Sequence, residues 1–190
     1  MTIIESNVKL DAKGLACPMP IVRTKKAMKE LEAGQVLEVE ATDKGSKADM
    51  KAWAESTGNY YLGTVEEGVV LKHYLRKAAN EEAAEQVFPY VVNHAELEQR
   101  LQNSEPIIIL DVREAAEYAF NHIPHAVSIP LGELDKRMDE LGKQETIYVV
   151  CRSGNRSDMA ARKLAENGYA NVFNVVPGMS EWIGHTDGLG

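Results

Sequence analysis

Only two of the 190 residues are cysteines, Cys17 and Cys151, too few for a disulfide framework. None of the five histidines stands at a spacing that would complete a structural zinc site with them. The longest apolar run, Ile107 to Leu110 with its neighbours, is far short of the roughly 20 residues needed to cross a bilayer. Residues Met1 to Asn7 contain no basic region followed by an apolar stretch, so no secretory leader is expected and the expected compartment is the cytoplasm. Glycine, proline and serine are not in excess, which excludes a low-complexity chain. Positive charge is scarce: 21 Lys and Arg face 29 Asp and Glu, a formal net charge of −8. The shortfall lies in residues 81–190, with 9 basic against 18 acidic, whereas residues 1–80 hold 12 against 11. That balance argues against nucleic-acid binding, which requires clustered Lys and Arg on phosphate. The one basic stretch, Arg23, Lys25, Lys26 and Lys29, reads as a solvated helix face.

What is present is enough chain for two compact units of roughly 80–110 residues. Hydrophobic periodicity over the first part predicts the order β-α-β-α-β-β. The strands are expected over 8–10, 35–41, 60–65 and 69–74, and the helices over 21–32 and 46–57. Together they predict a two-layer sandwich: one small mixed sheet with both helices on one face. The Lys-, Ala- and Glu-rich stretch that follows carries no apolar period and is expected to be a linker. The boundaries expected are a first domain over 1–77, a linker over 78–90 and a second domain over 91–190. Beyond the linker, apolar runs at 107–112 and 146–150 and strands expected at 126–129 and 172–176 alternate with helical patterns at 94–101, 114–120, 134–141 and 157–167. Such alternation predicts an α/β unit with a parallel sheet. Ligands of such sheets sit at the carboxyl ends of strands, where Asp111-Val112-Arg113 and Cys151 fall.

The segment Cys151-Arg152-Ser153-Gly154-Asn155-Arg156-Ser157 joins a buried strand to a helix. A short loop there can aim several backbone N–H groups at one point, and the helix adds its positive end. Gly154 permits a backbone conformation closed to other residues, and two arginines flank the site. All of this favours a sulfur anion over a neutral thiol. Cysteine phosphatases use a Cys-x5-Arg loop wide enough for a tetrahedral phosphate, whereas four residues separate Cys151 from Arg156. The tighter loop suits a single sulfur atom.

In combination, Asp111-Val112-Arg113-Glu114 with Glu117-Tyr118, His122-Ile123-Pro124-His125-Ala126, the Cys151-to-Arg156 loop and Gly178-Met179-Ser180-Glu181-Trp182 make residues 106–184 resemble the rhodanese domain. The resemblance implies a persulfide on Cys151, ligand contacts from Arg152, Ser153, Gly154, Asn155 and Arg156, and a supporting role for Asp111 and Arg113. Asn121 and His125 depart from the glycines common in that family; both lie away from the loop. His122 and His125 read as structural, and Trp53 and Trp182 as packing residues.

Cys17-Pro18-Met19-Pro20 puts the other cysteine at a helix start, where helix N–H groups favour a thiolate. With Gly14-Leu15-Ala16 before it and the β-α-β-α-β-β order around it, residues 8–75 resemble the TusA-like (SirA-like) sulfur-carrier family. The resemblance implies that Cys17 accepts sulfur as a persulfide and passes it on by docking with partners. Asp43 matches an acidic position of that family, although Lys44 replaces the proline often found next.

Two sulfur-bearing domains on one chain lead to the expectation of a sulfurtransferase. It would take sulfane sulfur onto Cys151 from thiosulfate, a small persulfide or a cysteine desulfurase. It would then relay that sulfur, by way of Cys17, to an acceptor thiol or protein. No cofactor, metal, nucleic acid or membrane is called for. The competing expectation is a thiol redox sensor or sulfur-signalling module built on the same two cysteines.

Overall fold

The computed structural model describes residues 4–80 and 85–190, and the chain divides into two compact units between Asn80 and Glu81, with Leu189 and Gly190 grouped with the first. Residues 81–84, within the expected linker, lie outside the described residues.

In the first unit, β1 (Val8–Asp11), β2 (Val36–Ala41), β3 (Tyr60–Glu67) and β4 (Val70–Arg76) form one sheet in the order β1-β2-β4-β3. β1 runs parallel to β2, and the other pairs are antiparallel. Two helices, α1 (Met19–Glu30) and α2 (Ser46–Ser56), supply the second layer. The alternation of β2 sends Leu37 and Val39 into a core with Met28 and Leu31 from the α1 segment, Met50 and Ala54 of α2, and Leu75 of β4. The sheet is mixed because β1 to β2 crosses over through α1, whereas β3 and β4 form a hairpin.

The second unit holds a five-stranded all-parallel sheet of β5 (Val91–Val92), β6 (Ile107–Asp111), β7 (Val127–Ser128), β8 (Thr146–Val150) and β9 (Asn171–Val175), in the order β5-β9-β8-β6-β7. Around it stand α3 (His94–Gln102), α4 (Ala115–Phe120), α5 (Leu134–Arg137) and α6 (Asn155–Glu166). The central strand β8 is buried on both faces, and the pleat sorts its side chains. Ile147, Val149 and then Cys151 face the core with Ala160, Ala161 and Leu164 of α6. Tyr148 and Val150 face the opposite core with Leu97 of α3, Ile123 and Met179. The sulfur thus emerges on the α6 side at the carboxyl end of the middle strand.

Two expectations differ from the structure, and one element was not expected. The edge strand β5 escaped notice, because two residues are too few to display a period. The helix expected over 134–141 breaks after Arg137 into a 3₁₀ turn, Met138–Glu140. The linker expected over 78–90 is not free at its far end. Phe88 is buried in the α6-side core, and the N–H groups of Val87 and Phe88 both donate to Asp158 Oδ1, at 2.9 and 2.7 Å.

Candidate functional site

The loop after β8 is shaped from outside. The N–H groups of Met179 and Ser180 donate to the carbonyls of Cys151 and Arg152 at 2.8 and 2.9 Å. Gly178 makes that approach possible: its φ is +85°, and a Cβ there would lie 2.6 Å from Cys151 O. With those carbonyls drawn outward, the Gly154 N–H reaches Cys151 Sγ at 3.1 Å. Gly154 itself is left-handed (φ +101°), and a Cβ on it would stand 2.9 Å from Gln86 Nε2. The sulfur is 0% exposed.

Three residues complete this pocket that the sequence reading did not single out. Ser157 Oγ lies 3.3 Å from Cys151 Sγ and 2.6 Å from Asn174 Oδ1. Asn174 Nδ2 donates to Gly154 O at 3.1 Å, so one amide holds both the serine and the loop. Gln86 lies on the outer wall, its Nε2 donating to Asn155 Oδ1 at 2.5 Å and to Ser153 O at 3.4 Å. A polar Asn174 within the apolar strand β9 was the available signal, since a fully buried amide demands partners.

The five loop residues expected to bind ligand therefore do different things. Gly154 touches the sulfur, while Ser153 and Asn155 meet Gln86. Arg152 is half-buried with its carbonyl engaged by Ser180. Arg156 is 1% exposed, and its guanidinium grips Glu117 through Nη1–Oε2 at 2.8 Å and Nη2–Oε1 at 3.1 Å. A charge taken out of water requires a paired counter-charge, and Glu117 supplies it from α4.

Asp111 and Arg113 form a second buried pair. Arg113 Nε and Nη2 bond the Asp111 carboxylate at 3.0 and 2.6 Å, and Nη1 and Nη2 tie down Asn121 at 3.1 and 2.6 Å. Burial opposes the Arg113 charge, but the Asp111 charge and hydrogen bonds outweigh it and hold the group above its ordinary value. The pair fixes the course of residues 111–121 through side-chain hydrogen bonds within that segment.

Cys17 has a different setting. It is exposed and precedes α1, whose first turn carries neither a side-chain cap nor an acidic residue. Its N–H donates to Asp43 Oδ2 at 3.1 Å, and its Sγ stands 3.4 Å from Asp49 Oδ2 in the first turn of α2. The thiol is pushed above its ordinary value by the hydrogen bond to Asp49, then by burial, then by the charges of Asp49 and Asp43. The thiolate preference expected from the helix start is thus countered by two carboxylates from a distant part of the chain. Asp43, which matches an acidic position of the carrier family, stands beside the cysteine.

A buried chain supports that arrangement. Ser46 Oγ donates to Asp43 O at 2.6 Å and so accepts from His73 Nε2 at 2.8 Å. His73 Nδ1 then accepts from Thr64 Oγ1 at 2.8 Å. Burial first, and the Lys47 charge second, push the His73 pKa down to about 4. The histidine is a neutral strut from β4 to the Asp43 turn.

Comparison with known proteins matches residues 8–77 to the family model described as Sulfurtransferase TusA and residues 93–185 to the rhodanese-like domain. Over 97% of its length the chain is 51% identical to the candidate sulfur carrier protein YrkF of Bacillus subtilis (strain 168), covering 100% of that protein. The sulfur carrier protein TusA of Allochromatium vinosum is 46% identical over 37% of this chain and 92% of its own. A crystal structure of a rhodanese-like domain protein from Staphylococcus aureus is 34% identical, with a TM-score of 0.47, over 49% of this chain and 90% of that one. Among the described residues, no helix is long and apolar enough to cross a membrane.

Proposed function

Because this chain belongs to the family that joins a TusA domain to a rhodanese-like domain, and so to the sulfur carriers and sulfurtransferases, we propose that Cys151 takes up sulfane sulfur as a persulfide and that Cys17 passes it onward. With thiosulfate as donor, the Cys151 thiolate attacks the outer sulfur. An S–S bond forms, the S–S bond of thiosulfate breaks, and sulfite leaves with the electron pair. Small persulfides or a desulfurase persulfide serve the same step with a thiolate as leaving group.

The observation that carries the reading is the Gly154 N–H held 3.1 Å from Sγ in a loop whose carbonyls are tied outward, a setting for a sulfur anion. Engagement of Arg156 by Glu117 speaks against phosphatase chemistry, in which that arginine would hold a phosphate. Full burial of Cys151 speaks against a ready disulfide with Cys17 and hence against the redox-sensor reading. On the carrier side, Cys17 is exposed and Met19 and Val22 offer exposed apolar surface beside it, which suits transient docking of a donor or acceptor protein.

The test is intact mass after incubation with thiosulfate for wild type, Cys151→Ala and Cys17→Ala. One added sulfur that disappears in Cys151→Ala and is discharged by cyanide supports uptake at Cys151. Sulfur on Cys17 only when Cys151 is present supports the internal relay. Equal loading of Cys17 in Cys151→Ala would overturn the relay, and no added sulfur from thiosulfate or a persulfide donor would overturn the uptake.

A further inference from the structure

Ser157 follows Arg156 on the first turn of α6 and is 0% exposed. Its hydroxyl has one proton and two neighbours that could receive it: Asn174 Oδ1 at 2.6 Å and Cys151 Sγ at 3.3 Å. The orientation of the Asn174 amide is not arbitrary, because its Nδ2 must face Gly154 O at 3.1 Å. A flipped amide would set two carbonyl oxygens against each other. Oδ1 therefore faces the serine and accepts its proton while Cys151 is a thiol, whose S–H can point to Ser157 Oγ. A sulfur bearing full negative charge has no proton to give and only accepts. In that state the stronger attraction for the hydroxyl proton comes from the anion.

We propose that Ser157 is a catalytic residue whose hydroxyl turns from Asn174 to Cys151 Sγ and stabilises the thiolate released when sulfur leaves. The inference rests on persulfide chemistry at Cys151. In the step concerned, the acceptor thiolate forms a bond to the outer sulfur of the protonated persulfide. The bond between that sulfur and Sγ breaks, the electron pair stays on Sγ, and the outer sulfur departs with its proton as the acceptor persulfide. Sγ is neutral before this step and anionic after it, so a donor aimed at Sγ acts on the transition state more than on the loaded state. Gly154 N–H is a fixed donor to Sγ, and Ser157 is a movable one.

The experiment uses the full chain with Cys17→Ala, which leaves Cys151 the only thiol. Two quantities are read for Ser157→Ala, Ser157→Thr and Asn174→Ala: the pH profile of Cys151 alkylation by iodoacetamide, and the discharge rate of the sulfur-loaded protein to cyanide. Ser157→Ala is expected to shift the alkylation profile to higher pH and slow discharge about tenfold, the effect of losing one hydrogen bond to a charged group. Ser157→Thr keeps the hydroxyl and should restore both. Asn174→Ala removes the competing acceptor, so its profile should move the opposite way, which loosened packing alone would not produce. Profiles and discharge rates that coincide in wild type and Ser157→Ala would overturn the proposal. So would shifts of the same sign in Ser157→Ala and Asn174→Ala. If the wild type took up no sulfur at all, the reading of Cys151 as a sulfur site would fall, while the alkylation profiles would still decide the part assigned to Ser157.

Discussion

Cys17 Sγ and Asp49 Oδ2 are 3.4 Å apart, so the exposed thiol shares its proton with a carboxylate 32 residues further along the chain. That carboxylate holds the thiol pKa above its ordinary value. Like charge beside a thiolate disfavours it, and removing the charge relieves the penalty. Asp49→Asn should therefore raise the rate at which iodoacetamide alkylates Cys17 at pH 7.5, and Asp43→Asn should do so to a lesser degree. Alkylation should be followed in Cys151→Ala so that one thiol reports. An unchanged or lower rate in Asp49→Asn would show that the carboxylate acts as a base for Cys17 instead of a restraint on it.

His73 gives a second expectation, with a defined sign. Its pKa in the folded chain is about 4 against an ordinary 6.5. The unfolded chain therefore binds a proton between those values that the folded chain refuses. The stabilisation is complete above about pH 6.5 and is lost as pH falls through about 4, an effect of roughly 3 kcal/mol. The His73 ring should remain neutral, with its proton on Nε2, at pH 5.5 in an NMR titration. A midpoint near 6.5 would refute the strut between Asp43 and Thr64.

Much of the fold was legible because it is written in local periodicity. The apolar runs at 107–112 and 146–150 are strands buried on both faces, and such strands need no partner to be recognised. The cysteine loop was legible for a similar reason: Cys151, Gly154 and Arg156 lie within six residues. Phe88 was not, because a lone aromatic between Val87 and Pro89 has no period, and only its burial against α6 marks it as core. Asp49 at Cys17, Asn174 behind Ser157 and Gln86 over Asn155 are brought in from 17 to 69 residues away. No spacing rule reaches that far. Glu117, which neutralises the Arg156 charge, stands 39 residues away and is equally out of reach of any spacing rule.

That pairing is itself testable. Arg156 and Glu117 are both buried, and the guanidinium donates two hydrogen bonds to the carboxylate. Breaking such a pair strands a charge away from water and costs about 3–5 kcal/mol, whereas replacing both members with apolar groups of similar volume is often near neutral. Glu117→Gln should lower the stability of the second unit by about 3 kcal/mol in urea unfolding. Glu117→Met combined with Arg156→Met should be more stable than Glu117→Met alone. If the double variant also loses its loop geometry, seen as free alkylation of Cys151, the pair sets the loop as well as neutralising itself.

Gln86 bears on access to the sulfur. It is exposed, yet its amide bridges Ser153 O and Asn155 Oδ1 directly above the left-handed Gly154. The segment behind it is anchored by the two N–H bonds to Asp158 and by buried Phe88. Truncating Gln86 removes the wall without loosening that anchor. Gln86→Ala should increase the alkylation rate of Cys151 severalfold in the Cys17→Ala chain while changing stability by no more than about 1 kcal/mol, as expected for a side chain away from the core. Asp158→Ala frees the whole segment and should raise the rate further, with a loss of about 2 kcal/mol for two unpaired backbone donors. Equal rates in wild type and Gln86→Ala would mean that the sulfur is closed off by the loop backbone alone, and that sulfur donors must open the loop itself.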